Sequence, residues 1–404
     1  MRFHILTPSN TVSNSEHVAC AFTQNVVKFC SMMMPRTEME KDLKKNLSID
    51  ELIQHKTIHH LIHYGHEKSD VNVDEHVTVI DDDILEKTYG QYDWKKGFYK
   101  SEHTDLARIT YTTNTINEIN KRKHWGDFLL CFWGIGHKPI ADAFTNDLII
   151  VEPGAGYLIE STFAPYKVFP SYAWMHANYG ANKIYPVWYD SVIPHYFNPT
   201  DFDFKKDKSD YFLYLGRITT LKGVGILIDI AKKMGFRLII AGQGSIEDDL
   251  GIKELPSNIE YVGFADQNKR RQLMSNAKAL VLLSTYSEPF GCVIIEAMMS
   301  GTPVITTDWG AFSEIVLHGA TGYRCRTMDH IEWAINNIDK INPQTCRQWA
   351  VDNYSVEKIR LMYEEYFDMV VKVQLKAGFY EKNPNRTELD WLSKTYPKGY
   401  PQIE

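Results

Sequence analysis

Arg217 and Lys222 stand five residues apart: Arg217 directly follows Gly216 and the short apolar run Tyr211–Leu215, and Lys222 lies where the next helical pattern begins. Two cations at a strand-to-helix junction, beside the free N–H groups of a helix start, make an anion site that suits a diphosphate. A second stretch, Ser287-Glu288-Pro289-Phe290-Gly291-Cys292-Val293-Ile294-Ile295-Glu296-Ala297, turns through Pro289 and Gly291 into a helix starting near Cys292. The unsatisfied N–H groups there suit phosphate oxygens. Glu296 falls about one turn into that helix, and helical side chains lean towards the N-terminus, so its carboxylate is placed to accept hydrogen bonds from ribose-type hydroxyls. Glu288, in the loop, reaches the far side of the same anion site. A carboxylate on a mostly apolar helix needs partners, and the competing reading for Glu296 is a structural ion pair. Gly242 and Gly263 each end an apolar run, and Phe264 follows Gly263; glycine at a strand end admits close approach to the backbone.

These loops need a scaffold, and the second half spells one out. Tyr211–Leu215, Arg237–Ala241, Ile259–Val262, Ala279–Leu283 and Pro303–Thr307 read as short apolar strands. They alternate with helical patterns over Lys222–Met234, Ile246–Leu250, Asp266–Ala277 and Cys292–Ser300. Near-continuous apolar strands separated by helices specify a parallel sheet covered on both faces. The first half repeats the theme, with strands expected at Phe3–Leu6, His60–Tyr64, Val77–Ile80, Phe128–Trp133 and Leu148–Val151, and a helix over Ser15–Met33. The expected architecture is α/β, two doubly wound Rossmann-like domains facing across a cleft. The first spans residues 1–195 with a polar insertion at about 35–59, and the second spans 196–365. A crossover helix and tail over 366–404 pack back on the first. The Pro-punctuated segment Val192–Asp201 links the two and, with the crossover, is expected to act as a hinge. Ligands of open parallel sheets bind at the carboxyl ends of the strands, which places the loops above in one cleft.

The 404 residues are 44% hydrophobic and 24% charged, with 44 Lys and Arg against 51 Asp and Glu, a net charge of -7. This is ordinary globular composition and counts against a generic polyanion binder. The six cysteines are scattered without a Cys-x-x-Cys pair, so reduced thiols are expected. No apolar stretch reaches membrane-spanning length and no signal-peptide pattern opens the chain, so a soluble, cytoplasmic protein is expected. The sequence specifies no oligomeric state.

Gly216-Arg217, Lys222, and Glu288 and Glu296 with seven residues between them, followed by Ser300-Gly301-Thr302-Pro303-Val304 and Gly319–Gly322, resemble retaining nucleotide-sugar glycosyltransferases of the GT-B fold. The type is family 4, glycosyltransferase group 1, and the likeness covers roughly Tyr211–Asn337. The resemblance implies that Arg217 and Lys222 bind the diphosphate and offset charge on the departing nucleoside diphosphate, UDP in the commonest case of this fold. It implies that Glu288 contacts the donor sugar and Glu296 the ribose. Phe290, Gly291 and Cys292 would hold sugar and phosphates, Gly263 and Phe264 the base, and the strand-end Gly242 is a further donor-binding candidate. It further implies front-face retaining transfer with no protein nucleophile, no cofactor and no metal. Relatives place a histidine near the reacting sugar, for which His137 in Phe132-Trp133-Gly134-Ile135-Gly136-His137 is the candidate, against a structural turn histidine. They also have a Gly-Gly pair after the first strand. Here the loop Thr7–Ser15 lacks glycine, and its Ser13 and Asn14, together with the strand-end Glu152, are the acceptor candidates.

A second likeness, in His63–Glu67, Phe132–Gly134, Val151–Gly154 and Leu389–Leu392, is to phage- and virus-encoded glycosyltransferases. It implies a DNA hydroxymethylpyrimidine as acceptor, beside a saccharide or glycolipid of a surface or virion glycan. Other features point less far. His59 and His63 suit a metal pair only on a helix, and their segment reads as a strand. Asp81-Asp82-Asp83 resembles the metal-binding triplet of GT-A enzymes but leaves the second half unexplained, so Asp83 is expected to cap a helix. The basic runs Lys121–Lys123 and Lys269–Arg271 read as solvated helix faces. A non-catalytic nucleotide-sugar-binding protein is the alternative from another class.

Overall fold

The structure, a computed structural model, describes residues 1–14, 21–33, 59–91, 93–95, 101–157 and 159–376. The insertion expected at about 35–59 therefore lies, apart from His59, outside the described residues, as do Cys20 and the tail from Ala377.

The first domain is built from β1 (Arg2–Leu6), α1 (Ala21–Met32), β2 (His60–His66), β3 (Glu75–Ile80), α2 (Asp82–Tyr89), α3 (Leu106–Asn120), β4 (Phe128–Cys131), α4 (Lys138–Asp142), β5 (Ile149–Pro153), β6 (Tyr166–Phe169), α5 (Tyr172–Asn182) and β7 (Ser191–Val192). Its seven strands form one sheet in the order β3-β2-β1-β4-β5-β6-β7, with every pairing parallel. Alternation along the strands feeds two cores. Phe3, Phe128 and Leu130 face α1 through Val26 and Phe29. Leu129 and Cys131 face α3 and α4 through Tyr111 and Ile140.

The second domain comprises β8 (Phe212–Leu215), α6 (Val224–Met234), β9 (Leu238–Ala241), α7 (Ile246–Leu250), β10 (Ile259–Tyr261), α8 (Gln267–Asn276), β11 (Ala279–Leu282), α9 (Cys292–Met299), β12 (Val304–Thr307), α10 (Phe312–Ile315), β13 (Gly322–Cys325), α11 (Met328–Asn337) and α12 (Pro343–Tyr354). Six parallel strands run β10-β9-β8-β11-β12-β13. In both sheets the strand order reverses beside the first strand of the domain, and a ligand crevice opens at such a switch point.

The chain crosses between the domains twice, and the crossings touch. Phe197 N–H donates to the Tyr354 carbonyl at 2.9 Å, and Val356 N–H donates back to the Phe197 carbonyl at 3.0 Å. The last helix, α13 (Val356–Gln374), buries Ile359, Met362, Tyr363, Tyr366, Phe367 and Val370 in the first domain's core, a stripe at helical spacing. The return thus starts at Val356, before residue 366, because the buried stripe begins at Ile359.

Three local expectations are corrected. Asp81, not Asp83, caps α2, its Oδ1 accepting from Ile84 N–H at 2.9 Å. The strand expected over Phe128–Trp133 ends at Cys131, which frees Trp133 to turn into the cleft. Strand β2 continues to His66, so His63 meets His76 across the β2–β3 pairing, Nδ1 to Nδ1 at 2.9 Å. Among the described residues no helix is long and apolar enough to cross a membrane.

Candidate functional site

A cavity of about 680 Å³ lies between the domains at the carboxyl ends of the central strands. Its second-domain wall is assembled from two of the expected loops. Gly216 and Arg217 follow β8, Lys222 closes the short turn before α6, and Glu288–Val293 lead into α9, with Glu296 one turn further on. Gly291 precedes α9 with φ 87° and offers no side-chain cap, so the first N–H groups of this eight-residue helix start beside the cavity.

Glu288 is 4% exposed and richly held. Its Oε1 accepts from Lys222 Nζ and from Ser284 Oγ, each at 2.6 Å, and its Oε2 accepts from Tyr286 Oη at 2.7 Å. An ionised carboxylate has about four acceptor sites, so Oε2 keeps one for a ligand hydroxyl. The same carboxylate fixes where the Lys222 ammonium stands, over the Tyr286 ring at 5.2 Å. Burial and the neighbouring Glu288 together push the Tyr286 phenol above its ordinary range. Glu296 pairs with Arg270 of α8, so the ion pair and the cavity position coexist. Phe290 packs edge-on against His195 of the linker at 5.0 Å and against Tyr354 at 6.0 Å. Cys292 lines the wall as a protonated thiol, pushed up to about 12 by burial.

Gly242, Gly263 and Phe264 stand behind this wall. A Cβ on Gly242 would come within 1.7 Å of the Gly216 carbonyl oxygen, so this glycine serves the close packing of two strand ends. Its N–H donates to the Gly263 carbonyl at 2.9 Å. Phe264 is met edge-on at 5.6 Å by Trp94 of the first domain, and the carbonyl of Trp94 accepts from the Gln243 side chain. It is Trp94 that lines the cavity at this end.

The first-domain candidates bond their own domain's loops. His137 is fully buried. Its Nε2 is 3.0 Å from the Thr7 carbonyl and its Nδ1 accepts from Trp133 N–H at 3.3 Å, tying the loop after β1 to the loop after β4. Burial lowers its pKa to about 3. Glu152 is equally buried, accepting from Tyr157 Oη and from the Phe163 and Ala164 N–H groups, both at 2.9 Å, which fixes the loop between β5 and β6. Burial raises its pKa to about 7. Ser13 is bonded to Thr7 Oγ1 at 2.7 Å and to Ser69 Oγ at 3.2 Å, and the Asn14 carbonyl accepts from Gln24 at 3.0 Å. None of these four lines the cavity. A polar side chain at a strand end is as useful for bonding loop backbone as for meeting a ligand, and only the fold separates the two.

The residues that do line that wall include Asn10, Thr11, Lys28, Trp94, Arg108 and Trp133. They come from the β1 loop, α1, the segment between α2 and α3, α3 and the β4 loop, with no short motif joining them. Arg270 and Arg271, read as a solvated face, also line the cavity, whereas Lys121, Arg122 and Lys123 are engaged by Glu75, Glu118 and Asp147. The cavity carries Lys28, Arg108, Arg217, Lys222, Arg270 and Arg271 against Asp201, Glu288 and Glu296, an excess of positive charge in a chain that is acidic overall.

The domains are held together beside the cavity. Ser171 Oγ donates to the Pro289 carbonyl at 2.7 Å while capping α5 through Trp174 N–H. Glu314 of the second domain accepts from the Tyr172 and Ala173 N–H groups at 2.9 and 2.6 Å, a carboxylate placed on the N-terminus of α5.

Comparison with known proteins agrees with this architecture. Residues 200–351 match the family described as Glycosyl transferases group 1. An uncharacterized glycosyltransferase of Methanocaldococcus jannaschii is 29% identical over 181 residues, 41% of this chain and 44% of that protein. The glycogen synthase of Mycobacterium tuberculosis is 36% identical over 126 residues, 29% of this chain and 30% of the other. A D-inositol 3-phosphate glycosyltransferase of a Mycobacterium species is 32% identical over 157 residues, 35% of this chain and 34% of the other. The chain thus spans less than half the length of these curated relatives. Among solved structures, sucrose-phosphate synthase from Thermosynechococcus elongatus superposes with a TM-score of 0.67 at 14% identity, covering 92% of this chain and 99% of the other. Anabaena HepE, solved in complex with UDP and glucose, gives 0.59 at 16% identity, covering 91% and 99%. The chain has the GT-B fold, and its second domain, over residues 200–351, carries the match to the glycosyl transferases group 1 family.

Proposed function

We propose that the protein is a retaining glycosyltransferase that moves a sugar from a nucleoside diphosphate sugar, UDP-linked, to an acceptor hydroxyl. The observation that carries this reading is the convergence of Arg217, Lys222, Glu288, Glu296 and the start of α9 on one wall of the interdomain cavity. The HepE complex with UDP and glucose supports the donor class.

In this reading Arg217, Lys222 and the α9 N–H groups receive the diphosphate. As the glycosidic bond to phosphate breaks, charge accumulates on the departing oxygen, where cations and dipoles held in place stabilise it most. Glu288 holds the Lys222 ammonium for that task and offers its remaining acceptor site to a donor-sugar hydroxyl. Glu296 receives the ribose. The acceptor enters on the side of Trp133, attacks from the face the leaving group vacates, and passes its proton to the departing phosphate. The protein supplies charge and position, and no metal is needed.

Mass spectrometry tests it. The protein is incubated with a panel of nucleoside diphosphate sugars, with saccharides in one arm and hydroxymethylcytosine DNA in another, each with and without EDTA. Donor-dependent mass gain on an acceptor, or slow donor hydrolysis, insensitive to EDTA, is the expected result. A gain on the DNA alone moves the acceptor to nucleic acid. Donor binding without hydrolysis or transfer makes the protein a nucleotide-sugar-binding protein, and activity that EDTA abolishes and manganese restores overturns the metal-free reading.

A further inference from the structure

Arg108 sits on α3 in the first-domain wall and is 9% exposed. Its guanidinium lies 4.6 Å over the Trp133 ring, and one of its five donors reaches the Gly136 carbonyl at 3.4 Å. The nearest acid, Asp105, is committed elsewhere: Oδ1 caps α3 through Arg108 N–H at 2.7 Å, and Oδ2 accepts from Tyr89 Oη at 2.7 Å and Glu102 N–H at 3.0 Å. Among the described residues no carboxylate forms an ion pair with the guanidinium, and every side chain that the first domain contributes to the cavity wall is cationic or neutral.

The chain makes room for this arrangement. A Cβ on residue 136 would stand 2.6 Å from the Trp133 ring and 3.2 Å from Arg108 Nη2, so glycine at that position lets the ring and the guanidinium stack. Burial already weighs against the charged form of Arg108. The charge of Asp105 offsets that burial only in part, and a partly compensated buried cation gains when an anion arrives. The planar fork of a guanidinium takes carboxylate or phosphate with two parallel bonds.

Resting on the glycosyltransferase reading above, we propose that Arg108 and Trp133 form an acceptor subsite for a saccharide bearing a phosphate or carboxylate, the anion on the Arg108 fork and the sugar ring against the indole.

Inorganic phosphate is the probe. With the protein saturated in UDP, the diphosphate positions are filled, and phosphate binding is followed by calorimetry in wild type and in Arg108→Gln. The UDP affinity of each is measured alongside, as the control for folding and for the donor site. The expected result is one further phosphate bound by wild type and at least tenfold weaker binding by the variant. Transfer assays with hexose 6-phosphates, hexuronates and neutral hexoses then separate the two anion sources, the preferred one showing at least a tenfold lower KM than its neutral counterpart. Phosphate binding that is absent in wild type, or equal in Arg108→Gln, overturns the proposal. Failure of UDP to bind wild type overturns the glycosyltransferase reading instead.

Discussion

The two walls of the cavity face the same space but were assembled differently. The second-domain wall is made of strand-end motifs: Gly216-Arg217 with Lys222, and the segment from Glu288 to Glu296. The first-domain wall draws on α1, α3 and two loops, with Lys28, Arg108 and Trp133 far apart in sequence. A diphosphate asks for cations and a helix start within one βα junction, which is a local demand that leaves a local pattern. An acceptor is met by side chains that tertiary packing brings together. The contrast separates residues that act on ligands from residues that hold loops, and substitutions can break it.

Lys222→Met should have the largest effect, a fall in transfer rate of about 10²–10³-fold, in the range seen when one stabilising donor is removed. Steady-state release of nucleoside diphosphate checks it, and a loss below threefold breaks the assignment of Lys222 to the leaving group. Glu152→Gln acts inside the first domain and through pH. The folded protein holds the Glu152 proton up to about 7, against an ordinary glutamate value of 4.5, so the folded state binds more protons between those values. Stability from this group is full below 4.5 and is lost as pH rises through 7, a change on the order of 3 kcal/mol. Denaturant melts across pH 4–8 should show that decline in wild type and not in Glu152→Gln.

Gly242→Ala forces the strand end after β9 off the Gly216 carbonyl and so moves Arg217. A displacement of about 1 Å predicts a fall in transfer of up to about 100-fold, read as kcat/KM. His137→Ala should lower stability by about 1–3 kcal/mol through the lost bonds to Thr7 and Trp133, with the donor KM changed less than threefold. A donor KM raised tenfold would return His137 to the reaction. The smallest effect is expected of Glu314→Gln, which weakens the carboxylate's hold on the start of α5 by about 0.5–1 kcal/mol. Small-angle scattering without nucleotide should then show a slightly larger radius of gyration.

The fold was legible wherever burial alone decided. Ala279–Leu282 is apolar throughout, and Val304–Thr307 is buried along its whole length, because helices cover both faces, and a fully buried strand announces itself. The edge strands β7 and β13 escaped, being short and mixed in composition. At the site, Arg217, Lys222, Glu288, Phe290, Gly291, Cys292 and Glu296 were readable because their spacing is fixed by one junction each. His137 and Glu152 do not line the cavity, because burial turns these polar strand-end residues inward, where they bond backbone. Arg270 was misread in the opposite sense: charged runs are usually solvated, and only the packing of α8 beside α9 shows that it faces Glu296. Trp133, noticed within its stretch, gained meaning only once β4 ended at Cys131.

The proposed function stands on the binding of a diphosphate by Arg217, Lys222 and the start of α9. A crystal structure of the protein with UDP tests it most directly. Phosphate oxygens are expected within about 3 Å of the Arg217 guanidinium, the Lys222 ammonium and the Cys292 or Val293 N–H, with the ribose hydroxyls on Glu296. Nucleotide bound elsewhere, or phosphates that bypass both cations, would contradict it.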